Sequence, residues 1–435
     1  MLMKYLLTGT VGANFLWCLR RNQWKTLPEL KSIQLKRLKA MIHYAYNHVP
    51  YYHWLFDSIK FKPKDLRSLE DLEKIPVTTK IDVQKSLVNF IAKGVDVSKC
   101  IEYFTSGSTG IPLKTYKDLR AACLDSALKA YAFLECGMRL TDKFVSVSWH
   151  QRSMILPSQI FVSSRKYKPD AITDYLSRIK PDIIYTYPSF LEELCCFDTS
   201  GINPRLIFSQ ASTLTQHFRN LVRSIFGLEI YDTYGSTELG RLAFECEAHS
   251  GLHMLTDSAV IEFIDDNGKP VAPGEIGEIV VTGLYNYAMP LIRYNLGDLG
   301  ILADGKCCCG RSWPLIKSIE GKSNDVIVMP SGRELYPGSF LLCIEDEIEE
   351  TPFCISQYQI IQEKRNRIIL KFKIGKEFDQ KVISRIKQNF QNLFTRLDED
   401  VHIDMRCVEK IPIERTGKRK KIISLVGQHA HLKNH

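Results

Sequence analysis

Short apolar runs alternating with helical segments through the middle of the chain constrain its fold more than any other feature. Phe144–Trp149, Ile183–Tyr187, Leu206–Phe208 and Glu229–Tyr231 have the length and apolar content of buried strands. Ala171–Ile179, Ser189–Cys196 and Thr215–Phe226, lying between them, carry helical periodicity. Such alternation predicts an α/β domain with a largely parallel sheet. After Gly251 the texture changes. Val260–Ile264, Gly277–Thr282 and Leu299–Leu302 run apolar or alternate around Asp-Asn-Gly and Pro-Gly turns, which predicts an antiparallel β region. After Gly321 a smaller unit begins, with strands at Tyr358–Gln362, Arg367–Ile374 and His402–Val408 and an amphipathic helix at Lys381–Leu397. A chain of 435 residues is too long for one ordinary core. The expectation is therefore an α/β large N-terminal domain over 1–321, mostly parallel sheet plus a β subdomain. A small α+β C-terminal domain over 322–435 follows it.

Upstream, apolar residues from Leu30 to Tyr46 recur mostly at three- to four-residue steps, and Pro50-Tyr51-Tyr52 interrupts the helical pattern. Tyr5–Leu19 is apolar but holds Gly9, Gly12 and Asn14 and is too short to span a bilayer, so no stable membrane insertion is expected. Hydrophobic residues make up 45% and charged ones 25%, the balance of a soluble globular protein. Net charge is +9, part of it in the run Lys418-Arg419-Lys420-Lys421, whose plain reading is solvated charge. No basic stripe interleaves with aromatics, so no nucleic-acid partner is expected. Thirteen cysteines, an odd number and mostly single, argue for a reducing cytoplasm without a disulfide framework.

Residues 103–114 read Tyr-Phe-Thr-Ser-Gly-Ser-Thr-Gly-Ile-Pro-Leu-Lys. Thr105, Ser106, Ser108 and Thr109 offer hydroxyls, and Gly107 and Gly110 let backbone N–H groups turn inward around an anion. Lys114 adds a mobile positive charge. Such a loop suits a polyphosphate, and it is not a Walker loop, because G-x-x-x-x-G-K-S/T is absent. Four more segments accompany it. They are Tyr231-Asp-Thr-Tyr-Gly-Ser-Thr-Glu238, Leu291-Ile-Arg-Tyr-Asn-Leu-Gly-Asp298, Glu320-Gly-Lys-Ser-Asn-Asp325 and Ile411-Pro-Ile-Glu-Arg-Thr-Gly-Lys418.

In this order the segments resemble the adenylate-forming superfamily of acyl-CoA synthetases, adenylation domains and luciferases. Within it the chain resembles the phenylacetate–CoA ligase family, in particular its capsular-polysaccharide branch, also through Tyr44-Ala-Tyr-Asn-His-Val-Pro-Tyr-Tyr52 and Asn286–Tyr294. The resemblance implies ATP-dependent activation of a small carboxylic acid as an acyl adenylate, then transfer to a thiol, coenzyme A or a carrier protein. An amine acceptor, or a degenerate nucleotide-binding scaffold, are the alternatives. It implies that Thr105–Gly110 and Lys114 hold the β,γ-phosphates, that Glu238 binds Mg²⁺ and that Thr237 touches the α-phosphate. Tyr234, Gly235, Ser236 and the Ser209-Gln210-Ala211 turn would border the nucleotide and acyl group, and Asp298 would accept from the ribose hydroxyls. Lys418 would bridge carboxylate and α-phosphate from a mobile C-terminal domain. Lys322 stands where the family has a ribose-contacting arginine, and Asn324 where it has a hinge aspartate. Arg333 or Arg311 are candidates to compensate.

Cys307-Cys-Cys-Gly-Arg311 presents thiols on one side of a tight loop, and Cys246 and His249 form a Cys-x-x-His pair. Cys246, His249, Cys307 and Cys309, with His253 as the alternative histidine, make a Cys₃His set for structural Zn²⁺. Many members of the resembled branch carry such a site. Cys308 is expected to point away.

Overall fold

The computed structural model describes residues 2–105, 113–148, 159–195, 197–351, 354–412 and 419–426. Residue contacts divide it into two compact units. One joins the described residues up to Leu140 with Tyr231–Ile319, and the other joins those of 141–230 with those from Glu320 onward.

The first unit is built on a seven-stranded, largely antiparallel sheet. Its strand order is Ala259–Ile264, Ile276–Gly283, Tyr294–Leu302, Leu315–Lys322, Leu252–Met254, Gly240–Glu245, Thr233–Ser236. Helices Leu27–His48 and Pro50–Ser58 pack on it, and their Leu38, Ile42, Tyr52 and Phe56 share one core with Leu242, Ile279, Val281 and Ile316 of the strands. The first of these helices begins where Glu29 accepts the Thr26 N–H at 2.9 Å. It ends at Val49 (φ −108°, ψ 112°), because a residue before proline is driven out of the helical region. Helix Leu119–Glu135 starts on Asp118, whose side chain accepts the Ala121 N–H at 2.7 Å. An antiparallel hairpin, Ile101–Phe104 with Lys114–Lys117, flanks the hydroxyl-rich loop.

The second unit holds a five-stranded sheet in the order Ile160–Ser163, Phe144–Ser148, Ile183–Thr186, Leu206–Ser209, Ile230–Tyr231. Its first four strands run parallel. Helices Pro169–Ile179, Pro188–Leu194 and Gln216–Phe226 connect the strands. The first and last of them stop on left-handed residues, Lys180 and Gly227. The C-terminal part of the unit is a four-stranded sheet in the order His402–Cys407, Arg367–Ile374, Ile355–Lys364, Ile422–Ser424, with helices Leu342–Glu350 and Gln380–Arg396. Ile344, Ile360, Leu370, Phe372, Ile386 and Phe390 close its own core, which among the described residues begins at Ile327.

The α/β architecture expected from alternating texture is the one observed. The edge strand Ile160–Ser163 was not anticipated. Tyr5–Leu19 lies in one helix, Leu2–Asn22, and no helix among the described residues is long and apolar enough to cross a membrane.

Candidate functional site

The hairpin of Thr233–Ser236 and Gly240–Glu245 carries Ser236, Thr237 and Glu238 at its turn. Two glycines make this turn possible. A Cβ on Gly235 would lie 2.3 Å from the Gly240 carbonyl oxygen. Gly240 has φ +75°, and a Cβ there would lie 2.1 Å from Asp125 Oδ1. Ser236 Oγ accepts the Leu239 N–H at 3.1 Å. Glu238 then leans on the neighbouring motif, where its Oε1 accepts from Tyr294 OH at 3.2 Å.

Asp298 sits in a bulge. Glu278 pairs with Leu299 and Val280 with Asn295, so Leu296, Gly297 and Asp298 stand opposite Ile279 alone. Gly297 takes φ +66°, and its N–H donates to Asn295 Oδ1 at 2.7 Å. The bulge re-aims Asp298, whose Oδ2 accepts from Tyr234 OH at 2.9 Å. Burial first, then Asp298, then Glu238 push the Tyr234 phenol well above its ordinary range. One phenol therefore senses both motif carboxylates. In the same motif Arg293 is structural. It is 2% exposed, pairs with Glu262 at 3.0 Å and donates to the Ile75 carbonyl at 2.7 Å.

At the neck of the hydroxyl-rich loop Thr105 N–H donates to Leu113 O, and Leu113 N–H donates to Thr105 Oγ1, both at 2.9 Å. Lys114 pairs with Glu102 at 2.7 Å, beside the rings of Phe104 and Tyr116. Ser106, Gly107, Ser108, Thr109, Gly110 and Lys418 lie outside the described residues. Sequence reading missed a buried charge group in this unit. Lys117, 1% exposed, meets Asp125 at 3.3 Å, and Lys129 meets the same oxygen at 3.0 Å. Burial lowers the Lys117 pKa against the pull of Asp125 and Glu238. No spacing rule joins residues 117, 125 and 240, although Gly240 just after Thr-Glu-Leu was the available signal.

In the second unit the Ser209-Gln210-Ala211 turn lies at the carboxyl end of strand Leu206–Ser209, the edge at which open α/β sheets bind ligands. Ala211 is left-handed (φ +65°), and the Gln210 amide is buried with no hydrogen-bond partner among the described residues. Lys322 is half-buried at the end of strand Leu315–Lys322. Burial raises the nearby Asp325, against Lys420 and Lys322. Neither candidate to compensate is unengaged. Arg311 donates to Gln23 at 2.8 Å and pairs with Glu135 and Glu247, while Arg333 donates to the Leu397 carbonyl at 3.1 Å.

Cys246, His253, Cys307 and Cys309 converge in the first unit, with ligand atoms all within 4.8 Å of one another. Cys246 Sγ lies 3.6 Å from Cys307 Sγ, and Cys309 Sγ 3.3 Å from His253 Nε2. A tetrahedral zinc site needs about 3.8 Å between sulfurs and about 3.5 Å between sulfur and nitrogen, so the donor set fits the ion. Burial, then Arg311, hold the His253 pKa down at about 4, which keeps the imidazole in its ligating neutral form. Burial raises the Cys246 thiol. Burial acts the same way on Cys307, but hydrogen bonds from Ser250 and Cys309 outweigh it and bring that thiol below its ordinary range. His253, the alternative, is the histidine brought to the cysteines. His249 instead pairs with Glu245 at 3.3 Å and packs on Tyr231. The reason is local: His253 lies in strand Leu252–Met254, whereas His249 is a left-handed turn residue (φ +47°). Cys308 is exposed.

A family model described as AMP-binding enzyme matches residues 152–289, and one described as CapK C-terminal domain matches residues 341–425. The phenylacetate-coenzyme A ligase of Thermus thermophilus is 25% identical over 92% of this chain and 98% of its own length. That of Aromatoleum evansii is 29% identical over 91% of this chain and 94% of its own. A crystal structure of 2-hydroxyisobutyryl-CoA ligase in the postadenylation state, in complex with R3-HIB-AMP, superimposes with a TM-score of 0.79 at 19% identity. It covers 94% of this chain and 92% of that one.

Proposed function

We propose, from the premise that the chain belongs to the adenylate-forming superfamily and there to the phenylacetate–CoA ligase-like enzymes, that it activates a carboxylic acid with ATP and delivers the acyl group to coenzyme A. The observation that carries this reading is Tyr234 poised against Asp298 at 2.9 Å and within the field of Glu238.

In the first step the acid's carboxylate attacks the α-phosphorus and pyrophosphate leaves. Charge gathers on phosphoryl oxygens, so positioning and electrostatics dominate the barrier. Glu238 would be the hard oxygen ligand for Mg²⁺, which would supply neutralisation of phosphate charge. Thr237 donates to the α-phosphate, and Asp298 accepts from the ribose. Tyr234, Gly235 and Ser236 line the nucleotide, with Lys322 toward the ribose. Thr105–Gly110 and Lys114 cradle the β,γ-phosphates, and Lys418 bridges carboxylate and α-phosphate. In the second step the thiol of coenzyme A loses its proton, its sulfur bonds to the acyl carbon, and AMP leaves. Residues 322–435 act as a mobile domain that withdraws Lys418 between the steps. Cys246, His253, Cys307 and Cys309 would hold Zn²⁺ in a structural role, since four protein ligands would leave no open position. An acceptor amine or carrier-protein thiol is the second reading, favoured by the match to a CapK C-terminal domain.

A panel of carboxylic acids in a pyrophosphate-release assay, with and without coenzyme A, tests the reading. Thioester is the expected product, and an amide or carrier-bound product replaces it under the second reading. Lys418→Ala should lower pyrophosphate release more than about a hundredfold while thioester formation from a supplied acyl adenylate survives. Equal loss in both half-reactions would overturn its assignment.

A further inference from the structure

In sequence the run Lys418–Lys421 reads as solvated charge, yet the structure gives its last three residues partners. Arg419, its side chain 16% exposed, forms an ion pair with Glu193, 24% exposed, on helix Pro188–Leu194. Lys420 lies 3.5 Å from Asp325. Lys421 Nζ donates to Glu345 Oε1 at 2.9 Å and to Tyr358 OH at 2.8 Å, and it sits 4.7 Å from the Phe218 ring centroid. Tyr358 OH donates to the same Glu345 oxygen at 2.6 Å. The backbone is held as well. Gln359 Nε2 donates to Lys420 O at 2.8 Å, and Ile360 N–H donates to Lys421 O at 2.7 Å.

These partners come from two places in the second unit. Asp325, Glu345, Tyr358, Gln359 and Ile360 belong to the part built on the C-terminal four-stranded sheet. Glu193 and Phe218 belong to helices of the parallel sheet. The segment's backbone and the hydrogen bonds of Lys421 thus pin it to one part, while Arg419, by its ion pair, and Lys421, over the Phe218 ring, reach across to the other.

We propose that Arg419 is a positioning residue for adenylation: its ion pair with Glu193 docks the C-terminal segment on the parallel-sheet helices and so holds the reactive lysine adjacent to it in sequence. The proposal rests on the adenylation reading and on the role of Lys418 in it. Losing one partner of a partly desolvated pair strands the other charge. The pair must break when the C-terminal domain turns toward thioester formation, so it biases the equilibrium between the two arrangements.

The test is a charge swap read on both half-reactions. Arg419→Glu and Glu193→Arg should each lower kcat for pyrophosphate release about 5- to 30-fold, with KM for ATP changed less than about twofold. Each should keep or speed thioester formation from a supplied acyl adenylate. The double variant Glu193→Arg/Arg419→Glu should recover most of the loss, and Arg419→Lys should fall between. Hydrogen–deuterium exchange of the peptide containing residues 188–194 supplies a readout independent of activity. Its protection should drop in each single variant and return in the swap. Loss of activity that the swap does not restore, with unchanged exchange in that helix, overturns the proposal. A wild-type enzyme silent with every acid overturns the adenylation reading instead, and the exchange result still decides whether the pair docks the segment.

Discussion

Asp298 carries the clearest prediction at the scale of one residue. Under the proposed function, Asp298→Asn keeps the shape and removes the charge that would strengthen a hydrogen bond to a ribose hydroxyl. KM for ATP should rise about tenfold or more in pyrophosphate-release kinetics, with a smaller change in kcat. Tyr234→Phe, which removes only the phenol that aims Asp298, should cost less. The sequence marked Glu238 and Asp298 as members of ordered motifs, because carboxylates next to glycine turns at set spacings leave a trace. It left no trace of how they are aimed. The bulge at Leu296–Asp298 is a property of pairing with Glu278–Val280, far away in the chain. The choice of His253 over His249 has the same origin. Spacing offered both, and only the fold separates a strand residue beside the cysteines from a left-handed turn residue beside Glu245.

At the scale of elements, the tight hairpin around Glu238 and the cysteine cluster set the tolerances. Gly240→Ala puts a methyl group against Asp125 Oδ1 and Tyr285 OH in a backbone region that L residues avoid. Denaturant unfolding should show a loss of about 2–3 kcal/mol. Cys309→Ser should abolish zinc in protein purified without added metal, measured by elemental analysis, and lower Tm. Chelation of the wild type should lower Tm to the same level, whereas Cys308→Ser should change neither. Helices and longer strands were legible because burial writes a period into them, as in Gln380–Arg396 with its buried Val382, Ile386, Phe390 and Leu393. In the buried group of Lys117, Asp125 and Lys129, the Asp125–Lys129 pair has the i,i+4 spacing of one helix, but the approach of Lys117 from the hairpin was not legible, since no spacing joins it to them.

For the whole molecule, the seam between the parallel-sheet helices and the C-terminal sheet carries a titration. Glu192 is pushed up to about 7 by burial, against Lys421 and Arg419 and helped by Glu193 and Glu345. With the folded pKa raised above its ordinary value of 4.5, the folded chain holds a proton that the unfolded chain has released. This contribution to stability is complete below about pH 4.5 and is lost as pH rises through about 7. Glu192→Gln lacks the titration. The difference in stability, variant minus wild type, should therefore grow between pH 4.5 and 7 and level off above, measured by denaturant unfolding at several pH values. Texture changes near Gly251 and Gly321 announced three kinds of structure. That Arg419 is paired across two of them was invisible, because a run of four basic residues looks the same whether water or Glu193 faces it.

The cysteine cluster has a consequence for how the chain is assembled. Cys246 and Cys307 stand 61 residues apart, and each follows shortly after one of the two motif carboxylates. An ion held between them would close a loop that contains Asp298 and leaves Glu238 eight residues outside it. Closing a loop of that size removes chain entropy from the disordered state worth about 4 kcal/mol on the disulfide scale. A cell starved of the ion would then lose this enzyme by attrition of newly made chains, with the surviving molecules turning over at full speed.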